Sequence, residues 1–143
     1  MTQVLDFKDF KYIVGETIGF CQMIEHDIRT ILATIAEGDY DENFEYLNHW
    51  TLGQLVNQLE EYDQEKGSEL FSYLEYRILK DITKKRNYIC HEIFRTFVYT
   101  KEFLDSEEYM MACNVMLDFH EDVVSLAKSI ERVRRNLCIK VYR

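Results

Sequence analysis

Residues 10–35 read FKYIVGETIGFCQMIEHDIRTILATI. In this stretch an apolar or small side chain recurs every three or four positions, the spacing that places side chains on one face of an α-helix. The face consists of Phe10, Ile13, Val14, Thr17, Cys21, Ile24, Ile28, Ile31, Leu32 and Ile35. We therefore predict one long helix over about residues 5–36, with Gly38 as its C-terminal cap.

The same periodicity continues through most of the remaining chain. Three further helices are predicted, at about residues 51–64 after an N-cap at Thr51, at about residues 69–99 after an N-cap at Ser68, and from Glu107 onward after Ser106. Residues 39–50, DYDENFEYLNHW, are predicted to form a loop with a short helical turn. The chain has no proline and five glycines. These segments predict an all-α, up-and-down bundle of four main helices in a single domain, residues 1–143.

Composition places the chain among globular proteins. Hydrophobic residues make up 47% and charged residues 30% of the 143 residues, which is enough for a hydrophobic core. No apolar run approaches the roughly 20 residues that a membrane-spanning helix needs. The N-terminal stretch has acids where a signal peptide would be basic. We therefore predict a cytoplasmic protein that does not enter a membrane.

Cysteine and histidine spacing argues against a metal site. The widely spaced cysteines Cys21, Cys90, Cys113 and Cys138 form no CxxC pair, so we predict buried, reduced thiols rather than a zinc site or disulfides. None of the 4 histidines has an acidic residue three positions before it, so the Glu-x-x-His pairs typical of two-metal bundles are missing. The sequence predicts neither a metal nor another cofactor.

Charge is unevenly distributed along the chain, whose formal net charge is −9. Residues 1–79 hold 5 basic and 16 acidic side chains, whereas residues 80–143 hold 12 basic and 10 acidic ones. This imbalance fits either a solvated surface or a local anion-binding site in the second part. It does not fit a protein that binds nucleic acid over its whole surface.

The densest basic run that also contains a histidine is KKRNYICHEIF, residues 84–94. On a helix, Asn87 and His91 lie about 40° apart on one face, and Arg86 lies about 140° from His91, near the apolar stripe. Histidine can act as a general acid or base, and a guanidinium can bind two phosphate oxygens, so these residue types suit metal-free RNA cleavage. From the spacing alone, a structural explanation is favoured, in which Arg86 pairs with a nearby acid such as Asp81 or a carboxylate in a loop, and His91 only covers the surface.

The segment RNYICH, residues 86–91, resembles the signature of the HEPN superfamily, in which four to six residues separate an arginine from a histidine. Arg86, Asn87 and His91 match the arginine, the polar residue that commonly follows it, and the histidine. The position of the motif, late in the third long helix of an all-α domain of this size, is similar as well. The segment TLGQLV, residues 51–56, at the start of the second predicted helix, also resembles a segment at the second helix of some HEPN-like proteins.

The resemblance implies a metal-independent endoribonuclease that acts as a homodimer, with two copies of the motif forming one composite site. It implies RNA as the substrate, catalytic roles for Arg86, Asn87 and His91, and an antitoxin protein as a partner in a toxin–antitoxin or phage-defence system. Toxins paired with nucleotidyltransferase antitoxins usually have a tyrosine two positions after the histidine, where this chain has Ile93. The resemblance therefore does not extend to silencing through that tyrosine. The neighbouring cations predicted to bind the RNA backbone are Lys80, Lys84 and Lys85.

A second hypothesis is a non-catalytic, HEPN-like helical module that dimerises and binds a nucleotide or a protein partner. The motif favours the ribonuclease. The net charge of −9 favours the module, because an acidic protein repels RNA over most of its surface.

Overall fold

The computed structural model describes the backbone of residues 4–141 and the side chains of residues 4–139. This part of the chain contains five α-helices, two short 3₁₀ turns and no strand. In chain order the elements are α1 (Phe7–Ile35), α2 (Tyr40–Leu47), α3 (Leu52–Lys66), α4 (Tyr73–His91), the 3₁₀ turns Phe94–Thr96 and Phe103–Asp105, and α5 (Glu107–Val141). The predicted all-α bundle is confirmed.

α1 and α5 run parallel and pack along most of their length. Near their N-terminal ends, the Tyr109 hydroxyl donates a hydrogen bond to the Leu5 carbonyl at 2.6 Å. Near their C-terminal ends, Arg134 Nε lies 3.0 Å from Asp27 Oδ1. Both contacts join corresponding levels of the two helices, which is possible only if the helices point the same way.

The short helix α2 reverses the chain after α1, and this extra reversal lets α1 and α5 run parallel within an up-and-down bundle. The sequence predicted only a helical turn here, whereas α2 has 8 residues and an N-cap, Asp39, whose carboxylate accepts from Glu42 N at 3.1 Å. The Asn43 amide donates to the Ala33 and Ala36 carbonyls at 3.3 and 3.4 Å. These bonds fasten α2 against the end of α1, so the chain reverses direction there before α3 begins.

The boundaries of α4 differ from the prediction at both ends. Its N-cap is Ser72 rather than Ser68, and Ser72 forms a reciprocal capping box with Glu75. Its last residue is His91, and a separate 3₁₀ turn follows, so the predicted helix over residues 69–99 is too long. The prediction of Gly38 as the cap of α1 is also wrong, because Ala36 holds that position and Gly38, with φ of +105°, lies in the turn into α2.

An aromatic cluster closes the end of the bundle where α4 stops. It comprises Phe7, Phe10, Phe94, Phe97, Phe103 and Tyr109, with neighbouring ring centroids 5.1–6.4 Å apart. Edge-to-face pairs of this kind add to the stability gained from burial. Because Phe94 and Phe97 must turn towards α1 to join this cluster, the chain leaves the helical path after His91.

The prediction of four buried thiols is wrong for two of them. Cys21 and Cys113 are buried, whereas Cys90 on α4 is exposed and Cys138 on α5 is half-exposed, and all four are free thiols. Burial raises the pKa of Cys21 to about 11, against the opposing effect of the Arg86 charge. Cys21 is therefore a neutral thiol at physiological pH and packs as a small apolar side chain.

None of the described helices is both long enough and apolar enough to cross a membrane. Within the same part of the chain, no three histidine, cysteine or acidic side chains lie together in a way that could hold a metal ion.

Candidate functional site

The candidate site occupies the last turns of α4. Asn87 and His91 are both exposed, and they are one helical turn apart on the same face. Arg86 is half-buried and points the other way, towards α1. The structure thus brings Asn87 and His91 together and separates both from Arg86, as the helical spacing predicts.

Arg86 finds its counter-ion on α1 and not on its own helix. Its Nη1 lies 3.4 Å from Glu25 Oε2, with both side chains 24% exposed. The other Glu25 oxygen lies 3.6 Å from Arg29 Nη2. The structural explanation of Arg86 as an ion-pair partner is therefore correct in kind, but the acid is Glu25 rather than Asp81. The pair explains how α4 tolerates a cation in the face that packs against the core.

The three predicted substrate-binding lysines have different surroundings. Lys80 Nζ lies 2.7 Å from Glu60 Oε1 on α3, and Lys85 Nζ lies 2.9 Å from Asp81 Oδ2 one turn back. Lys84 is exposed and has no ion pair among the described residues. Lys84 is accordingly the most available of the three cations for an incoming anion.

A residue that sequence reasoning missed, Arg77, belongs to the same surface. It is exposed, its guanidinium lies 5.9 Å from the centroid of the Tyr73 ring, and it lines a shallow groove of about 610 Å³ together with Lys80 and Lys84. Steps of four, three, four, three and four residues back from His91 along α4 stay on one face of the helix. This spacing would have identified Arg77 from the sequence. We call this face the α4 stripe; its members are Tyr73, Arg77, Lys80, Lys84, Asn87 and His91.

The α4 stripe has the chemistry of a nucleic-acid contact. It is about 27 Å long, because Tyr73 and His91 are separated by 18 helical steps of about 1.5 Å each. Its cations can bind phosphates, and Tyr73 offers a ring face on which an unpaired base can stack. At its far end His91 offers an imidazole that can carry a proton, and Asn87 offers an amide beside it. Arg86 cannot be reached from the same side of the helix, so one chain presents only part of the predicted catalytic set.

Comparison of the chain with protein-family models, with curated proteins and with solved structures gave no match. The resemblance to the HEPN superfamily therefore rests on the motif residues and their position on α4, and membership of that family stays a prediction.

Proposed function

We propose that this protein is a metal-independent endoribonuclease of the HEPN type, acting on single-stranded RNA in the cytoplasm within a toxin–antitoxin or phage-defence system. The observation that carries the proposal is the α4 stripe, in which a row of exposed cations ends at an exposed Asn87–His91 pair. RNA bound along this row would have its backbone delivered to an imidazole. Nothing comparable would attract RNA to the acidic first half of the chain.

The reaction follows from the groups on that surface. His91 takes the proton of a ribose 2′-hydroxyl or gives one to the leaving 5′-oxygen. The 2′-oxygen forms a bond to phosphorus as the bond to the 5′-oxygen breaks, which leaves a 2′,3′-cyclic phosphate and a 5′-hydroxyl. Arg86 stabilises the charge on the phosphorus oxygens, and Asn87 orients the imidazole or holds one of those oxygens.

A homodimer would supply the missing geometry. Arg86 and His91 lie on different sides of α4 within one chain, so a composite site needs the motif of a second copy close by. We propose that the two copies meet with α4, and α5 beside it, near the two-fold axis. An antitoxin protein that covers this surface would block both RNA binding and catalysis.

A specific observation supports the second candidate function, a non-catalytic module that dimerises and binds a nucleotide or a protein. Arg86 already has a carboxylate partner in Glu25 at 3.4 Å, and a phosphate would have to compete with it. In such a module the α4 stripe would bind a nucleotide without cleaving a bond.

Cleavage in EDTA separates the two candidates. Purified protein is incubated with a labelled single-stranded RNA, and the 3′ ends of the products are tested for a 2′,3′-cyclic phosphate. His91→Ala should lower the cleavage rate roughly 10²–10⁴-fold, the usual contribution of a positioned proton-transfer group. His49→Ala is the matched control, because His49 is also exposed but lies before α3, away from the stripe.

Substitutions of Arg86 and Lys84 test the stabilisation of phosphate charge and the binding of RNA, respectively. Arg86→Lys keeps the charge and removes the planar fork, so cleavage should fall while the exposed control Arg135→Lys has no effect. Lys84→Ala should weaken RNA binding and reduce the log–log dependence of affinity on salt by about 0.7, the value for one phosphate contact on a single strand. A His91→Ala protein that is folded and dimeric, and that still cleaves RNA or poisons cells as strongly as the unaltered protein, would refute the ribonuclease and leave the binding module.

A further inference from the structure

α1 and α4 are antiparallel neighbours that contact each other at two levels. Just beyond the end of α4, the ring centroids of Phe94 and Phe10 are 5.6 Å apart. Further from that end, Arg86 Nη1 lies 3.4 Å from Glu25 Oε2. Residue numbers therefore rise along α4 as they fall along α1, so a step forward from Arg86 corresponds to an equal step back from Glu25.

A step of one helical turn from this ion pair leads to a cysteine on each helix. Cys90 is four residues after Arg86, and Cys21 is four residues before Glu25. Because residues four apart lie on the same side of a helix, both cysteines belong to the interface between α1 and α4. Helices that pack with their axes about 8–10 Å apart bring facing Cα atoms within the range that a disulfide can join.

The two thiols differ in their access to solvent. Cys21 is 1% exposed, whereas Cys90 is exposed, so Cys21 lies on the inner side of the interface and Cys90 at its outer edge. Burial raises the pKa of Cys21 to about 11, the Arg86 charge opposes this effect, and the Cys90 thiol adds to it. An electrostatic effect of one thiol on the other agrees with their position at the same level, because such effects decline with distance.

The remaining cysteines lie at other levels of the bundle. The contacts that align α1 with α5 place Cys113 about 12 residues from the level of Cys21 towards the aromatic cluster, and Cys138 about 10 residues in the other direction. These separations are about 18 Å and 15 Å along the helices. Cys21 and Cys90 are therefore the one pair among the four cysteines that shares a level. Free cysteine is among the most buried residue types, so packing does not explain the exposed member of this pair.

We propose that Cys90 and Cys21 form a reversible redox pair, in which hydrogen peroxide oxidises Cys90 and Cys21 then closes a disulfide that ties α4 to α1. In the first step the Cys90 sulfur bonds to one peroxide oxygen, the O–O bond breaks, and one water leaves, which gives a sulfenic acid. In the second step the Cys21 sulfur bonds to the Cys90 sulfur and the S–O bond breaks. The hydroxide leaves with the Cys21 proton as a second water. The two thiols lose two electrons and the peroxide gains two, and a thiol reductant restores both thiols by exchange.

The disulfide would act on the candidate site, because Cys90 lies within the segment RNYICH. Around the axis of α4, Cys90 is about 40° from Arg86 and about 60° from Asn87, so it lies between the two parts of the motif. A covalent tie at this turn would hold Arg86 against α1 and away from a phosphate. Oxidation should therefore suppress RNA cleavage. This consequence rests on the proposed function, whereas formation of the disulfide does not.

Mass spectrometry of the purified, reduced full-length protein tests the redox pair. A small molar excess of hydrogen peroxide should remove two hydrogen atoms from the chain, and a digest without reductant should contain two peptides linked through Cys21 and Cys90. Cys21→Ala should stop at the sulfenic acid of Cys90, which dimedone captures. The matched control is Cys138→Ser, which removes a half-exposed thiol from another level and should leave the linked peptides unchanged. No cross-link, or one that joins Cys90 to a different cysteine or to a second copy of the chain, would overturn the proposal.

RNA cleavage by the same samples tests the regulatory role. Cleavage should be lost as the disulfide forms and should return with dithiothreitol, whereas Cys90→Ser protein should cleave equally with and without peroxide. Undiminished cleavage by fully cross-linked protein would overturn the regulation. Protein that forms the cross-link but does not cleave RNA even when reduced would refute the ribonuclease and leave the redox pair in place.

Discussion

Replacing Asp63 with alanine should destabilise the whole bundle, because this buried carboxylate ties the end of α3 to the start of α4. Asp63 is only 5% exposed. Its oxygens accept hydrogen bonds from the Tyr76 hydroxyl at 2.6 Å, from Leu70 N at 3.0 and 3.1 Å, and from Phe71 N at 3.4 Å. The alanine variant leaves these three donors without a partner in the interior.

The expected loss of stability follows from the number and the lengths of these hydrogen bonds. Hydrogen bonds to a charged group contribute roughly 1.5–3 kcal/mol each, and a buried donor without a partner costs about as much. Two of the donors are at good distances and the third, at 3.4 Å, is weak. We therefore expect the free energy of unfolding to fall by about 3–5 kcal/mol. At about 2–4 °C per kcal/mol for a chain near this size, the melting temperature should fall by roughly 6–20 °C.

Urea unfolding followed by circular dichroism measures the change. Glu61→Ala is the matched control, since Glu61 is also an acid on α3 but is exposed; its effect should stay within about 0.5 kcal/mol. Asp63→Asn should fall between the two, because an amide oxygen can still accept but carries no charge. A loss below about 1 kcal/mol for Asp63→Ala would contradict the assignment of Asp63 as the junction between α3 and α4.

Two further predictions concern titration and thiol chemistry. Burial, and then the hydrogen bond to Asp63 and its charge, raise the pKa of Tyr76 well above its ordinary value of 10.0. The folded state thus keeps a proton that the unfolded state loses, so the contribution of Tyr76 to stability is complete below pH 10.0 and is lost as the pH rises further. Tyr76→Phe should make the free energy of unfolding fall less steeply above that pH, by up to about 1.4 kcal/mol per pH unit, and an unchanged slope would contradict this. In native protein, iodoacetamide should modify the exposed Cys90 first and the buried Cys21 and Cys113 last, and mass spectrometry of the digested protein would show whether that order is wrong.

The helices could be predicted because each signal is local. The apolar spacing of residues 10–35 is a property of consecutive residues, and α1 spans Phe7–Ile35. The error at the start of α4 was avoidable, because Ser72 and Glu75 have the S-x-x-E spacing of a capping box and Ser68 has no such partner. The end of α4 had no local signal: neither glycine nor proline follows His91, and the helix stops because Phe94 and Phe97 pack against Phe10 on α1.

The candidate site could be predicted only in part, for the same reason. The exposed Asn87–His91 pair follows from helical spacing. The Glu25 partner of Arg86 lies 61 residues away in the sequence, and no pattern links the two positions. Arg29, which shares Glu25 with Arg86, in turn donates to the Trp50 carbonyl across 21 residues. Such contacts are products of tertiary packing, which a one-dimensional pattern does not contain.

Glu25, the carboxylate shared by Arg29 and Arg86, has fewer acceptor positions than the two guanidinium groups have N–H donors. Two guanidinium groups have about ten N–H bonds between them, and one carboxylate has about four acceptor positions. Arg29 directs two of its nitrogens to the Leu47 and Trp50 carbonyls. Arg86 has Glu25 as its hydrogen-bond partner, at 3.4 Å through Nη1. The ion pair therefore fixes the direction of this guanidinium but engages few of its N–H groups, so a phosphate at Arg86 would compete with Glu25 for the charge and not for most of the donors.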